Sequence, residues 1–184
     1  MQLVRPHVRY LPSFAAALAR ECWLEDEVVR SEARRALRQL DSDPDAFLAR
    51  LDMGASSTAP LWADDSLLAR TRAFTLWIWD GEFCGSIELR WYRGRCERPL
   101  RIPARIGYSV VPWKHHRSCA TFALKTMLAE ASELNMESVE LLASWDDLAS
   151  QVIITRCGGV LLDALTRPHQ HATGKSCHFR VSLK

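Results

Sequence analysis

No apolar run in this 184-residue chain approaches the roughly 20 residues that a membrane helix needs. Its start, Met1-Gln2-Leu3-Val4-Arg5-Pro6, carries neither a long apolar stretch nor a signal-cleavage pattern. It has no CxxC pair. Its cysteines stand apart at 22, 84, 96, 119, 157 and 177, and a chain of this size needs no disulfide staples. Its charges nearly cancel, at a formal +2, so bulk charge points to neither a nucleic acid nor a membrane as partner. Internal repeats and low-complexity tracts are missing as well. These absences leave an ordinary globular composition, 48% apolar and 25% charged, long enough for one domain with its own core. The expected location is a reducing cytoplasm.

What is present centres on Arg105-Ile106-Gly107-Tyr108-Ser109-Val110-Val111-Pro112 and the loop that follows it. Ile106, Tyr108 and Val110 alternate on one face, so this run reads as a strand closed by Val111-Pro112. Ala120, Leu124, Met127, Leu128, Ala131 and Leu134 then recur at a helical period. Between strand and helix lie Lys114, His115, His116 and Arg117. A helix N-terminus has free N–H groups and a favourable dipole, so a basic loop entering it is a natural anion site.

The flanking segments supply the frame. Residues 2–5 read as a short strand, and 11–22 and 28–40 as helices, the second with a basic face of Arg30, Arg34, Arg35 and Arg38. Asp43-Pro44 opens a third helix as N-cap and first helical residue. Residues 54–60 read as a loop, a flap over a site. Residues 72–79 and 82–92 are strands joined by Asp80-Gly81, the strongest hairpin signal in the chain. An arginine-rich connection follows, with Arg93, Arg95, Arg98 and Arg101. After the long helix, Asn135 is a stop. Val139, Leu141 and Ala143 alternate as a strand, Asp147 caps a helix over 148–157, and Gly158-Gly159 ends it. A short strand at 160–162, a loop holding Pro168, His169 and His171, and a last strand at 174–183 complete the pattern. Helices, then antiparallel strands, then alternating strands and helices make an α+β domain.

The ordered set from Gly107 to Gly159 resembles the acetyl-CoA-binding core of the GNAT N-acetyltransferases. Val110-Val111-Pro112 matches their strand end, His115 to Ala120 their pyrophosphate loop, and Asp147-Leu148-Ala149-Ser150 with Gly158-Gly159 their later helix. The likeness is greatest to a bacterial subgroup reading Ile-Gly-Tyr-x-Val-x-Pro. With Asp80-Gly81 before the third strand, it covers roughly the last two thirds of the chain. It implies a GNAT-like central twisted mixed sheet of about six to seven strands, flanked by helices on both faces. It implies one domain over 1–184, with a helical acceptor-side region at 1–70 and an acyl-CoA-binding core at 71–184. It also implies transfer of an acetyl group from acetyl-CoA to a primary amine of a small molecule or peptide by direct attack, no metal, and a homodimer. The cofactor-binding residues it marks are Val110, Val111, His115, His116, Arg117, Ser118, Cys119, Ala120, Thr121, Asp147 and Ser150. Three positions depart from the family pattern. His115 replaces Arg or Gln, Ser118 replaces a loop glycine, and Asp147 replaces Asn. The family's tyrosine acid, four residues after the Ser, is Ile154 here.

The chemistry needs a base for the amine and a donor for the developing oxyanion. Glu88 is the first candidate base, set against a solvent-facing strand residue. Tyr108 and Ser109 lie nearer the expected thioester and are the other catalytic candidates. Trp62, Trp77, Trp79 and Trp91 line either an acceptor pocket or the core. His169, His171, Cys177 and His178 match no structural zinc spacing. Two rival readings stand beside the enzyme: a non-catalytic CoA-sensing module, and an RNA- or protein-binding scaffold using the basic helix.

Overall fold

The computed structural model describes residues 1–20, 27–52, 71–92, 104–115, 117–169 and 172–183. The expected flap at 54–60, the connection at 93–103, Trp62, His116 and His171 lie outside the described residues.

Seven strands form one sheet in the order β1-β2-β3-β4-β5-β7-β6. They are β1 (Gln2–Val4), β2 (Thr71–Trp79), β3 (Phe83–Tyr92), β4 (Ala104–Val110), β5 (Ser138–Ser144), β6 (Gly159–His169) and β7 (Ala172–Ser182). Only β4 and β5 pair in parallel; every other neighbouring pair is antiparallel. Among the described residues five α-helices flank the sheet: α1 (Leu11–Ala19), α2 (Glu27–Ser42), α3 (Pro44–Asp52), α4 (Cys119–Glu133) and α5 (Leu148–Arg156). The mixed sheet with helices on both faces agrees with the expected GNAT-like α+β fold.

Alternation along the strands divides the core in two. Ile87, Leu89, Ile106, Val139, Leu141 and Phe179 turn one way and pack under α4 and α5, against Leu124, Met127 and Ile154. Trp77, Phe83 and Val111 turn the other way and meet Tyr10, Leu11, Leu40 and Phe47 from the N-terminal helices. Phe14 stacks on Trp77 with ring centroids 4.5 Å apart, and Phe83 meets both rings edge-on. The tryptophans at 77 and 91 are therefore packing residues, the second held edge-on by Phe74.

Local signals act as read. Asp43 caps α3 through its carboxylate and the Ala46 N–H at 2.9 Å. Asp147 caps α5 through the Ser150 N–H at 2.9 Å. Asn135 holds a left-handed φ of 58° just past α4. One element differs. β6 is an eleven-residue strand running through Pro168, where a short strand and a loop were expected. It pairs along β7 as far as His169↔Ala172. As the outermost strand, β6 tolerates a proline, which a central strand does not.

The tip of the β2–β3 hairpin is tied to the end of β4 by a buried lysine. Lys114 Nζ donates to both Asp80 oxygens at 2.9 and 3.0 Å, with Glu82 at 3.4 Å. Burial alone would raise the Asp80 carboxyl pKa, but the Lys114 and Cys84 hydrogen bonds outweigh it and hold it below the usual value. Burial alone would lower Lys114, and the Asp80 bond with the neighbouring charges reverses that. Burial, then Asp80, pushes the Cys84 thiol up to about 12, so it stays protonated and unreactive. A depressed acid stabilises the fold above its unfolded pKa, and a raised base stabilises it below its own. The clamp is therefore in force from about pH 4 to about pH 10. Asp80→Ala should cost about 3 kcal/mol within that window, measured by urea unfolding, and much less at about pH 3.

Candidate active site

Among the described residues β4 and β5 pair only at Ala104↔Val139 and Arg105↔Glu140. Beyond that point β4 stays with β3 as far as Val110↔Gly85, while β5 stays with β7 as far as Ser144↔Ser176. Each strand follows its antiparallel partner, so the two diverge and leave a gap in the sheet. Ile106, Gly107 and Tyr108 form one side of it, Leu141 to Ser144 the other, with Asp147 and Ser150 at its end. A larger cavity of about 750 Å³ adjoins it between β4, α4 and α5. Tyr108, Asp147 and Ser150 line both.

Two sets of backbone donors face this space. The Val111 N–H bonds the Cys84 carbonyl of β3 at 2.9 Å. By alternation, the Val110 and Tyr108 amides point away from β3, toward the gap. At the far end, the first helical bond of α4 runs from Phe122 N to Ser118 O. The N–H groups of Cys119, Ala120 and Thr121 therefore have no acceptor within the helix. All three residues line the cavity. Ser118 begins the helix at φ 58°, a conformation that glycine adopts without strain, and its hydroxyl makes no capping bond.

The structure gathers most of the expected residues around this one cavity. Ser109, Val110, His115, Ser118, Cys119, Ala120, Thr121, Asp147 and Ser150 all line it, with Tyr108. His115 also holds the loop to the strand, its Nε2 lying 2.9 Å from the Val110 carbonyl. Val111 turns away, 1% exposed in the core beneath the N-terminal helices. Arg117 is exposed at the mouth of the loop and does not line the cavity. Glu88 lies opposite Gly107 in the register, on the face away from α4 and α5. One of its oxygens, Oε1, accepts from Arg90 Nε and Nη2 at 2.9 and 2.7 Å. Cys177 is buried in the core, and no cluster of metal-ligating side chains occurs among the described residues. The four described cysteines, at 84, 119, 157 and 177, are free thiols.

Tyr108 has an unusual setting. Its hydroxyl is buried and completes no hydrogen bond among the described residues. Ser150 is near enough to affect its acidity, but the two hydroxyls fall outside ordinary bonding geometry. Burial raises the phenol pKa, the Asp147 charge adds to this, and Ser150 opposes it without reversing it. The group is a neutral, unspent donor at the edge of the gap.

Sequence reasoning missed Leu148, Val152 and Arg156, which line the cavity at a four-residue spacing on one side of α5. Leu148 and Val152 are 68% and 48% exposed. The signal was there as an i, i+4, i+8 row, but an apolar row at that spacing reads as core. Lys114, read as a cation of the loop, lines the cavity too but is buried. Its burial depends on Asp80, 34 residues away.

A family model for the GNAT acetyltransferase domain matches residues 10–160. The chain therefore belongs to the GNAT acetyltransferase family and is an acetyltransferase of that kind. No curated protein sequence matches it significantly. Among solved structures, a spermidine N-acetyltransferase SpeG chimera from Vibrio cholerae and hSSAT superposes with TM-score 0.60 at 11% identity, over 99% of this chain and 95% of its own. The microcin self-immunity acetyltransferase MccE, in complex with acetyl-CoA and AMP, has TM-score 0.59 at 11% identity, over 98% and 91% of the two chains. The ribosomal-protein alpha-N-acetyltransferase RimL, in complex with coenzyme A, has TM-score 0.59 at 10% identity, over 98% and 92%. At such identities the likeness is one of fold. No described helix is long and apolar enough to cross a membrane.

Proposed function

We propose that this chain transfers an acetyl group from acetyl-CoA to a primary amine by direct attack, within one domain over residues 1–184. Residues 71–184 hold acetyl-CoA, and residues 1–70 form the acceptor side. The observation that carries this reading is one cavity joining the bare α4 N-terminus to the β4–β5 gap. The pyrophosphate takes the α4 N–H groups from Cys119 to Thr121, where the helix dipole favours it. The pantetheine amides pair with the edge of β4 at Tyr108 and Val110, with Asp147, Ser150 and the apolar row of α5 on the other side. The thioester then lies at the gap, beside Tyr108.

The amine arrives from the opposite face, where Glu88 and Ser109 lie. Glu88 accepts its proton through a water, using the oxygen that Arg90 leaves free. The nitrogen attacks the carbonyl carbon, and the oxyanion takes a backbone N–H of β4. The C–S bond then breaks, and Tyr108 gives its proton to the leaving sulfur. The phenolate regains a proton from water. A reducing cytoplasm suits the free thiols, and a homodimer accords with the family.

Calorimetry with acetyl-CoA tests the first half, and the absence of binding at millimolar concentration would overturn it. Free-thiol release over an amine panel tests the second half and separates the enzyme from a CoA-sensing module. Arg117→Glu should weaken acetyl-CoA about fivefold by setting a negative charge at the α4 N-terminus. Unchanged affinity would place the pyrophosphate elsewhere.

A further inference from the structure

The cavity has a second end. Tyr108, Asp147 and Ser150 mark the end it shares with the gap. Leu148, Val152 and Arg156 carry it along α5, and eight residues of helix place Arg156 roughly 12 Å from Leu148. On α4, Thr121 lines the cavity in the first turn. Lys125 follows four residues later, on the same side of that helix and roughly 6 Å further along it. The two helices pack against each other. Burial raises the pKa of the Cys157 thiol, and the Lys125 ammonium lies near enough to oppose it. Cys157 is the residue after Arg156. Lys125 and Arg156 therefore stand on neighbouring helices at the end of the cavity away from the gap.

Both cations are exposed, and neither side chain makes a hydrogen bond or ion pair among the described residues. No carboxylate stands three or four residues from either one along the chain. The helix dipole favours a cation in a last turn, which is the ordinary reason for an arginine at 156. The dipole does not explain why that arginine lines a cavity, or why a second unpartnered cation stands beside it on α4. Arginine offers five N–H donors in a planar fork, and lysine three on one nitrogen. Such a pair, with no carboxylate to satisfy it, suits a phosphate monoester, which carries close to two negative charges at neutral pH.

We infer that Lys125 and Arg156 form a seat for the 3′-phosphate of acetyl-CoA, and that this seat makes the protein select CoA over its dephospho form. This rests on the acetyl-CoA reading above. With the pyrophosphate on the amides of Cys119 to Thr121, one ribose separates it from the 3′-phosphate, a span close to the turn of α4 between Thr121 and Lys125. Arg156 pairs with two oxygens of that phosphate from α5, and Lys125 meets the third as a point charge. The adenosine then lies at the mouth between the two helices, the pantetheine along Leu148 and Val152, and the thioester at the gap.

Calorimetry with CoA and dephospho-CoA reads the seat directly. The wild type should bind CoA about tenfold tighter or more, and the ratio should shrink at about 0.5 M salt. Arg156→Gln should bring the ratio to about twofold or less by weakening CoA alone, with the affinity for dephospho-CoA unmoved. Lys125→Gln should act in the same direction, and Arg156→Lys should keep part of the preference. A merely structural role would weaken both ligands alike. Equal binding of the two ligands by the wild type, or an unchanged ratio in either Gln variant, overturns the seat while acetyl-CoA stands as the substrate. A preference for CoA that Arg156→Gln removes, without thiol release over the amine panel, supports the seat and places the failure with acyl transfer. No binding of either ligand at millimolar concentration overturns the seat together with the acetyl-CoA reading.

Discussion

Tyr108→Phe is expected to lower kcat by about 10²-fold to 10³-fold, the usual span for a positioned acid. The KM for acetyl-CoA should stay within about twofold, because the hydroxyl acts on the leaving sulfur and not on the bound substrate. Phenylalanine keeps the ring that packs against the core under α4 and α5, and removes only a hydroxyl that has no partner to lose. The protein should therefore be as stable as the wild type or slightly more so. The pH profile gives a second readout. Burial raises the phenol pKa above its ordinary value, and the nearby Asp147 charge pushes the same way. A raised acid keeps its proton as pH rises, so the wild-type kcat should show no loss from this group below about pH 10. Steady-state thiol release at several pH values checks both points. An unchanged kcat in Tyr108→Phe would mean that the sulfur takes its proton from water.

Gly85→Ala is expected to destabilise the fold by about 3 kcal/mol or more, measured by urea or thermal unfolding. A Cβ at this position would stand 2.1 Å from the Ser109 carbonyl oxygen and 2.8 Å from the Val110 Cα, and the backbone is at φ 152°. Both obstructing atoms belong to the β4 backbone, which a side-chain movement cannot relieve. β3 must then part from β4, and with it go the Val111–Cys84 bond and the aim of the β4 amides at the gap. Activity should fall further than the folded fraction alone accounts for. Gly81→Ala is the matched control. Gly81 also has a positive φ, 116°, but nothing lies within 4 Å of its added Cβ, so only the backbone strain of about 1 kcal/mol remains. Equal losses in the two variants would show that strain, and not the close approach of β3 to β4, is what Gly85 avoids.

Much of the frame was legible because its signals are local. Asp43 and Asp147 cap helices whose amides lie three residues away, and Asp80-Gly81 turns a hairpin between strands that are neighbours in sequence. The Val-Pro end of β4 and the loop into α4 carried both the family likeness and most of the cavity lining. Side-chain direction was less legible. Val110 and Val111 look equivalent in sequence, yet one lines the cavity and the other is core, because neighbours in an extended chain face opposite sides. The same alternation separates Tyr108 from Glu88. The two were read as candidates for one site, and they occupy opposite faces of the sheet.

What the sequence alone determined was the kind of elements, their order, and the family that order matches. These follow from capping, turn chemistry and hydrophobic period, each acting over a few residues. The tertiary structure decided the rest. β4 and β5 part after two residue pairs because each is held by a different antiparallel neighbour, and no stretch of either strand records that competition. The length of β6 was set by its register with β7, which overrode the proline near its end. Glu140 and Lys114 are buried charges satisfied by partners 38, 40 and 34 residues away. A charge enters a core only where folding brings its partner, and that meeting is a property of the assembled sheet.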